Sequence, residues 1–397
     1  MQVDAVIIGG GACGLMCAVQ AGFWGKKVLI LEKNERVGEK ILISGGGRCN
    51  FTNLHTSDHN FISENPRFIK SALSQWTVED TIAFFESNGI IGAEKTLGQL
   101  FPTTNNAKDI VLVFENLCRE LNQDILYKVN IKSLIKLNNG SFQITYEQGG
   151  KDTIITAPKV VIAAGGLPIK KMGATDFGIR IAKQFGLKVT ATAPALVPLI
   201  SNEKDAKWYS QLAGTAIFCR VSNDRIAFEE NILFTHWGLS GPAILQLSSY
   251  WRMGEKIHLN FLPHASILDL LNEKRRDNGK QLLQTFMAAL FTKRFAESLQ
   301  KYLPADTIIG ELTKAELNTI NDFIHHFEII PAGDKGYDKA EVMRGGVATE
   351  ELSSKTLEAK KVAGLFFGGE CVDVTGWLGG YNFQWAWASG YVIAQQI

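Results

Sequence analysis

Three glycine-rich segments, far apart in this 397-residue chain, have the residue types and spacing that bind the phosphates of a dinucleotide. The first, Gly9–Gly14, directly follows the apolar run Val3–Ile8. The second is Val161–Gly166, and the third is Leu365–Glu370 with Gly379–Asn382 shortly after it. A single glycine turn is a weak signal, but three in this order favour FAD, which is long enough to need all of them.

The first segment has the properties of a strand-to-helix phosphate turn. Gly9 allows the sharp turn, Gly11 lets the backbone approach a pyrophosphate, and Gly14 lets the helix lie close to the sheet. The helix start then offers N–H groups and partial positive charge. Glu32, 18 residues past Gly14, can accept ribose hydroxyls and would repel a 2′-phosphate. From this segment alone, a turn without ligand or an NAD site stays open.

The third segment predicts the flavin end of the site. A strand is aimed at Gly369-Glu370, with Asp373 close behind, and an acid here meets the ribityl or pyrophosphate region of FAD. Gly379-Gly380 opens a helix predicted from Asn382 onward. Its start would stabilise negative charge at N1 of the reduced flavin.

Lys40–Asn53 is the most distinctive stretch of the chain. Three glycines followed by Arg48 bring backbone and a fixed cation to one point, which suits a pyrophosphate or an electron-rich flavin edge. No cysteine lies five residues before or after Cys49, so a dithiol mechanism is not predicted. Cys49 is either a catalytic thiol or, as we favour, a small residue against the cofactor. Arg48 and Asn50 are candidates to polarise a substrate carbonyl.

His236 is the candidate proton donor. It lies in a loop that opens a helix, with Pro242 near the first helical position. Its near-neutral reference pKa suits general acid work. The alternative is a histidine that only orders this loop.

Several elements must position these residues. A buried strand at Val3–Ile8, a small-sided helix, a second strand, a meander over Tyr127–Ala157 with an Asn139-Gly140 turn, and a further strand are the layout of a flavoprotein Rossmann domain. Helices are also predicted at Thr77–Ser87, Lys108–Leu121, Ser266–Leu303 and Thr313–Ile324.

Composition is that of a globular protein, 46% hydrophobic and 20% charged. The net charge of +1 argues against nonspecific nucleic-acid binding, but not against a specific RNA substrate. Lys274–Arg276 lies in a stretch with equal numbers of acids and bases, so a solvated face is favoured over an RNA contact. No apolar run is long enough to span a membrane, and six cysteines without a C-x-x-C pair predict no metal site and a cytoplasmic location.

The chain resembles the bacterial flavoproteins of the aminoacetone oxidase family, or BaiN/YhiN-type NAD(P)/FAD-dependent oxidoreductases. The matching stretches run from end to end and are Gly38–Asn53, Gly165–Gly178, Phe234–Leu245, Lys339–Val347 and Gly368–Gly390. One departure is Met343-Arg344, where the family pattern has Thr-Ala.

The resemblance implies an α/β fold, namely a FAD-binding Rossmann domain of the glutathione-reductase type with a β-meander, interrupted by an insert. We predict that 1–192 and 345–397 form the FAD domain, 193–263 and 326–344 a small β-barrel, and 264–325 a helical subdomain. Motifs and resemblance together predict these cofactor contacts: Gly9, Gly11, Ala12, Cys13, Gly14, Glu32, Lys33, Lys40, Ser44, Gly45, Gly46, Arg48, Cys49, Asn50, Val129, Ala164, Gly165, Asp176, Gly369, Glu370, Asp373, Gly379, Gly380, Tyr381 and Asn382.

The expected activity is hydride transfer between flavin N5 and a substrate, with NAD(P)H as a transient donor. The resemblance implies oxidation of small amino compounds with oxygen, reduction of unsaturated small molecules, or reduction of a base in ribosomal RNA. The partner is thus a small molecule or an RNA base. A flavin-binding protein without turnover is a further alternative. The oligomeric state does not follow from the sequence.

Overall fold

The computed structural model describes residues 2–397, and the chain divides into two compact units. The first unit comprises Met1–Ala193 and Val342–Ile397, and the second unit is Pro194–Glu341. The finer division into a FAD domain, a β-barrel and a helical subdomain stays a prediction.

A five-stranded parallel sheet forms the centre of the first unit. Three of its strands are continuous runs of buried apolar residues, as expected where both faces of a parallel sheet are covered. Their carboxyl ends meet at one edge of the sheet, where ligands bind in such folds. In spatial order the strands are Leu365–Phe367, Lys159–Ile162, Ala5–Ile8, Val28–Leu31 and Asp124–Leu126.

The predicted meander is confirmed as a three-stranded antiparallel sheet, with Asn139-Gly140 in its first turn. Its strands are Asn130–Lys136, Phe142–Gln148 and Lys151–Ala157. Shorter strands pair elsewhere in this unit, and they are Thr52–Asn53, Gly92–Glu94 and Gln99–Pro102; Phe61–Ile62 and Thr375–Gly376; Val189–Ala195 and Val342–Val347.

Two helices that begin at glycines pack against each other in this unit. In the C-terminal one, a Cβ added at Gly390 would lie 2.5 Å from the Cys13 carbonyl oxygen of the other, so only glycine permits this approach. Thr77 caps its helix with Asp80 in a capping box. The α-helices of the first unit are Ala12–Phe23, Glu39–Gly47, Arg67–Gln75, Val78–Ser87, Ala107–Glu120, Phe177–Gln184 and Tyr381–Ala394, with 3₁₀ turns at Asp58–Asn60, Lys170–Met172, Thr349–Glu351 and Gly369–Cys371.

The second unit contains a seven-stranded antiparallel sheet. Its longest strand, Ala227–Thr235, has nine residues. In spatial order the strands are Phe327–Ile329, Ile257–Asn260, Ala216–Ser222, Ala227–Thr235, Gly238–Ser240, Leu199–Ile200 and Gly333–Asp334.

The prediction of one helix over Ser266–Leu303 was wrong, because the range contains several shorter helices. Leu282 and Thr292 adopt extended backbone and interrupt it, and Leu282 forms a β-bridge with Ile308. The apolar pattern continues across these breaks because each piece buries its own face, so periodicity alone does not reveal them. The helices here are Glu203–Leu212, Pro242–Ser248, Ile267–Asn278, Leu283–Leu290, Lys293–Ser298 and Lys314–His325, with 3₁₀ turns at Leu299–Lys301 and Ile309–Glu311.

Candidate cofactor site

The first glycine turn has the backbone geometry of a phosphate-binding turn. Gly9 adopts φ +109°, and a Cβ there would lie 2.4 Å from the Ala163 carbonyl oxygen. A Cβ at Gly14 would lie 2.0 Å from the Gly9 carbonyl oxygen. At Gly11, by contrast, an added Cβ meets none of the described chain within 4 Å. No side chain caps the helix that begins at Ala12, and the N-terminal end of a helix is suited to an anion.

Glu32 is buried beside this turn. Its Oε2 accepts from the Gly10 N–H at 2.7 Å, and its Oε1 accepts from the Asn34 N–H at 2.7 Å. Each carboxylate oxygen can accept a further hydrogen bond, so the group can still bind a hydroxyl pair. Val129 lies next to it, because the Val129 N–H donates to the Glu32 carbonyl at 2.9 Å.

An ion pair joins two segments that are 330 residues apart in sequence. The Lys40 ammonium lies 2.7 Å from Glu370 Oε2, and Glu370 Oε1 accepts from the Met343 N–H at 3.1 Å. Glu370 therefore links the Glu39–Gly47 helix, which contains Lys40, to the Val342–Val347 strand, which contains Met343. The sequence predicted both residues as cofactor contacts but not their pairing.

The three glycines after Ser44 end a helix in consecutive left-handed conformations, with φ between +54° and +83°. Such a turn exposes successive backbone N–H groups, which is the arrangement of an anion-binding concavity. Arg48 folds back on this turn, with Nε donating to the Gly45 carbonyl at 2.8 Å and the guanidinium 5.1 Å from the Phe101 ring centroid.

Asn50 has a side-chain oxygen without a hydrogen-bond partner among the described residues. Its side-chain Oδ1 is buried and accepts no hydrogen bond from the described residues, and the residue is 7% exposed. A Cβ added at Gly380 would lie 2.9 Å from this oxygen and 2.5 Å from the Thr52 carbonyl oxygen. An unsatisfied buried acceptor costs about 1–3 kcal/mol, which favours a ligand donor at this point.

The buried thiols are not nucleophiles in this structure. All six cysteines are free and buried. Burial raises the pKa of the Cys49 thiol to about 12, against a lowering hydrogen bond from Ser44. Burial likewise raises the pKa of Cys13 to about 12. Both remain protonated at neutral pH, so Cys49 fits the role of a small packing residue better than that of a catalytic thiol.

Three predicted contacts have their polar atoms engaged within the protein. Asp176 pairs with Arg180 at 2.9 Å on an exposed helix start. Asp373 accepts from the Glu64 N–H at 3.0 Å, and burial raises the pKa of its carboxyl. The Asn382 amide accepts from the Gly376 N–H at 2.8 Å and donates to the Gly376 carbonyl at 2.9 Å. Asn382 thus orders the loop before its helix.

The remaining predicted contacts lie at the same strand ends and turns. Gly165 follows Ala164 just beyond the Lys159–Ile162 strand and adopts φ +70°. Gly369 lies just beyond the Leu365–Phe367 strand and adopts φ +67°. Lys33 is exposed next to Glu32, and Tyr381 is the first residue of the C-terminal helix.

Sequence reasoning missed Gln384, which is fully buried in the C-terminal helix. Its Oε1 lies 2.7 Å from the Thr52 hydroxyl and 2.8 Å from the Thr81 hydroxyl. Its Nε2 donates to the Trp76 and Thr77 carbonyls at 3.2 and 3.0 Å. The available signal was a glutamine between Phe383 and Trp385 in a mostly apolar helix.

His236 belongs to the second unit, not to the unit that contains the other predicted residues. It is exposed with Trp237 at the tip of a hairpin in which Thr235 pairs with Gly238. Lys335 places its ammonium 4.9 Å from the Trp237 ring centroid. Pro242 is confirmed near the first position of the following helix. The catalytic role of His236 stays a prediction.

The comparisons with known proteins agree with this fold. Residues 3–396 match the family described as HI0933-like protein Rossmann domain. A ribosomal RNA dihydrouridine synthase of Escherichia coli is 42% identical over 100% of this chain and 98% of its own length. A 3-dehydro-bile acid delta(4,6)-reductase of Clostridium scindens is 29% identical over 97% of each chain. The structure of a 3-ketosteroid-delta4-(5alpha)-dehydrogenase from Rhodococcus jostii superposes with a TM-score of 0.53 and 14% identity, covering 99% of this chain and 97% of the other.

The fold and its glycine turns are those of a FAD-dependent oxidoreductase. The chain belongs to the HI0933-like Rossmann-domain family. The resemblance noted in the sequence is therefore confirmed at the level of a FAD-binding Rossmann family, whereas neither of the two sequence relatives above is named an aminoacetone oxidase.

The residues present fit FAD. The open space at Gly11, the left-handed turn at Gly45–Gly47 and the orphan carbonyl of Asn50 lie in segments that the motifs assign to pyrophosphate and flavin. Bound FAD supplies hydride transfer at N5 of its ring. Within residues 2–397, no helix has the length and apolar character needed to cross a bilayer.

Proposed function

We propose that this protein is a FAD-dependent reductase that converts a uridine of ribosomal RNA to dihydrouridine. The observation that carries the proposal is the 42% identity, over essentially the full length of both chains, with a relative named for that activity. A cytoplasmic location follows from this substrate.

The chemistry that the relatives' names share supports the proposal. Dihydrouridine formation saturates the C5–C6 bond of uracil, which is conjugated to the C4 carbonyl. The name of the bile acid reductase likewise describes double bonds conjugated to a 3-oxo group. In such a reduction a hydride adds to the β-carbon and a proton to the α-carbon. We therefore infer that the substrate is an α,β-unsaturated carbonyl compound rather than an amine.

The second unit offers a surface for an unpaired base. Trp237 is 39% exposed at its hairpin tip, with the Lys335 ammonium over its ring and His236 beside it. Exposed aromatic rings stack on RNA bases, and nearby cations attract the phosphates.

The basic run Lys274–Arg276, the other candidate RNA contact in the sequence, is less suited to bind RNA. Arg275 donates to the Ile309 and Leu312 carbonyls, and Arg294 donates to the Ala213 carbonyl. These two cations therefore hold loops of their own unit. The Trp237 tip is accordingly the proposed RNA contact, and His236 the proposed proton donor to uracil C5. The electron donor is proposed to be NAD(P)H.

Complementation tests the proposal. An E. coli strain that lacks its 42% identical relative is given this gene, and dihydrouridine in purified ribosomal RNA is measured by mass spectrometry of nucleosides. We expect dihydrouridine to be restored. Trp237→Ala should lower it, because an exposed stacking platform is worth about 1–3 kcal/mol per base.

Trp24→Ala is the matched control, because Trp24 is similarly exposed but lies in the first unit. It should leave the dihydrouridine level unchanged. No dihydrouridine from a well-expressed, FAD-loaded protein would refute the RNA substrate. Anaerobic bleaching of the flavin by small amines, but not by NADH or NADPH, would instead favour an amine oxidase.

A further inference from the structure

The unpaired carbonyl of Asn50 lies beside the start of a long helix. Tyr381–Ala394 spans 14 residues and begins after Gly380, with no side-chain cap. Its first N–H groups have no acceptor within the helix, so they present donors and partial positive charge. Asn50 Oδ1 presents an acceptor at the same place, since it lies 2.9 Å from the position of a Cβ on Gly380.

This proximity depends on backbone that only glycine adopts comfortably. Gly379 and Gly380 have φ of +116° and +100°. Any side chain at 380 would collide with the Thr52 carbonyl oxygen, 2.5 Å from the Cβ position. The chain therefore brings the helix start directly against the 50–52 segment while leaving Asn50 Oδ1 without a donor.

A donor set next to a single acceptor is complementary to a cyclic imide edge, in which C=O groups flank an N–H. The isoalloxazine ring of FAD has this edge at C2=O and N3–H, whereas the ribityl hydroxyls and the adenine amino group are donors without a carbonyl on the adjacent ring atom. We propose that Asn50 Oδ1 accepts the hydrogen bond of flavin N3–H while the helix start faces the neighbouring C2=O. Asn50 is thus a cofactor-positioning residue.

This role differs from the one expected from the sequence. Polarising a substrate carbonyl requires a donor, whereas the atom that lacks a partner is an acceptor. Uracil has the same imide edge, so the substrate base is the competing occupant. The inference concerns the cofactor and does not depend on ribosomal RNA being the substrate.

The test compares FAD with 3-methyl-FAD, which lacks the N3–H. Both are titrated into apoprotein, and affinity is measured from flavin fluorescence. The wild type should bind 3-methyl-FAD about 10- to 100-fold more weakly, as expected for a buried acceptor left unpaired. Asn50→Ala removes the acceptor and makes room for the methyl group, so its preference should fall to about 2-fold or less. Asn50→Asp keeps an acceptor and should retain the preference.

Equal binding of the two flavins by the wild type would overturn the proposal without any variant. An undiminished preference in Asn50→Ala would overturn it as well. If, instead, Asn50→Ala leaves flavin preference intact and only weakens binding of uridine-containing RNA, the imide edge recognised is that of the substrate. Dihydrouridine formation is not a readout here, so failure of this inference is distinct from failure of the proposed function.

Discussion

Gly11 and Gly14 are both glycine, but for different physical reasons. Gly14 has no room for a side chain, because its Cβ position lies 2.0 Å from the Gly9 carbonyl oxygen. Gly11 has φ −84°, which any residue adopts, and the described chain leaves its Cβ position open. The protein fold therefore explains Gly14 but not Gly11. A phosphate group of the ligand that approaches closely explains Gly11.

Gly11→Ala should separate folding from cofactor binding. We expect the free energy of unfolding of the apoprotein to change by less than about 0.5 kcal/mol, since no contact is made and no unusual φ is required. The dissociation constant for FAD should rise at least about tenfold, because the methyl group enters the pyrophosphate space. Denaturant unfolding and flavin titration measure the two effects.

Gly14→Ala is the contrasting variant. It should unfold the apoprotein or markedly lower its free energy of unfolding, because the backbone at Gly9 must shift to admit the methyl group. If Gly11→Ala bound FAD as tightly as the wild type, the pyrophosphate would not lie at this turn.

Cys49 should be chemically silent in the folded protein. Its folded-state pKa of about 12 lies well above that of an exposed thiol, so almost no thiolate forms at pH 8. Iodoacetamide should therefore modify Cys49 only after denaturation, as measured by peptide mass spectrometry. Cys49→Ser should still permit reduction of bound flavin. Rapid alkylation of the native protein at pH 8, with loss of reduction, would restore the catalytic-thiol interpretation.

At the scale of elements, the C-terminal helix organises the predicted flavin end of the site. Gln384 joins it to Thr52 and to the start of the Val78–Ser87 helix, and all four of its polar contacts are internal. Trp387 donates to the Phe51 carbonyl at 2.8 Å, and this holds the same segment. The Asn50–Asn53 segment is therefore positioned by hydrogen bonds rather than by local preference.

Gln384→Leu should destabilise the first unit by roughly 2–4 kcal/mol, because several buried polar groups lose their partners while the volume is kept. The free energy of unfolding in urea measures this. Gln395→Leu is the matched control, since Gln395 is exposed beyond the same helix. It should change stability by less than about 0.5 kcal/mol. Equal effects of the two substitutions would show that the buried network contributes nothing specific.

At the scale of the molecule, the chain leaves and re-enters the first unit through one pair of strands. Val189–Ala195 is hydrogen-bonded to Val342–Val347, and Thr190 Oγ1 accepts from the Gly346 N–H at 3.0 Å. All predicted cofactor contacts lie in this unit, whereas His236, Trp237 and Lys335 lie in the other. Cofactor binding and substrate recognition are thus expected to be separable.

Residues 1–193 joined to 342–397 by a short Gly/Ser linker should fold and bind FAD, because the joined ends already lie on paired strands. This shortened protein should not form dihydrouridine, because the proposed RNA contact and proton donor are absent. Flavin absorbance and the complementation assay measure the two properties. A folded but colourless protein that takes up no FAD would place essential cofactor contacts in the second unit.

The local sequence pattern was sufficient to predict those elements whose structure is decided by neighbouring residues. The central strands were predicted because fully buried parallel strands are continuous apolar runs, and the meander because Asn139-Gly140 favours a tight turn. The helix predicted at Thr313–Ile324 is likewise present, and it begins with a capping box of Thr313 and Glu316. The helical breaks at Leu282 and Thr292 were not predictable, because a long-range β-bridge and core packing override propensity there.

The amino-acid sequence by itself determined the Rossmann class, the order of the three glycine segments and the identity of the cofactor, because strand burial and phosphate turns are local properties. Only the tertiary structure decided which polar atoms are engaged. It showed Glu370 paired with Lys40, Asp373 with the Glu64 N–H, and Asn50 Oδ1 with no partner in the described chain. Such pairings join residues up to 330 positions apart, and no local rule specifies which acceptor remains for a ligand.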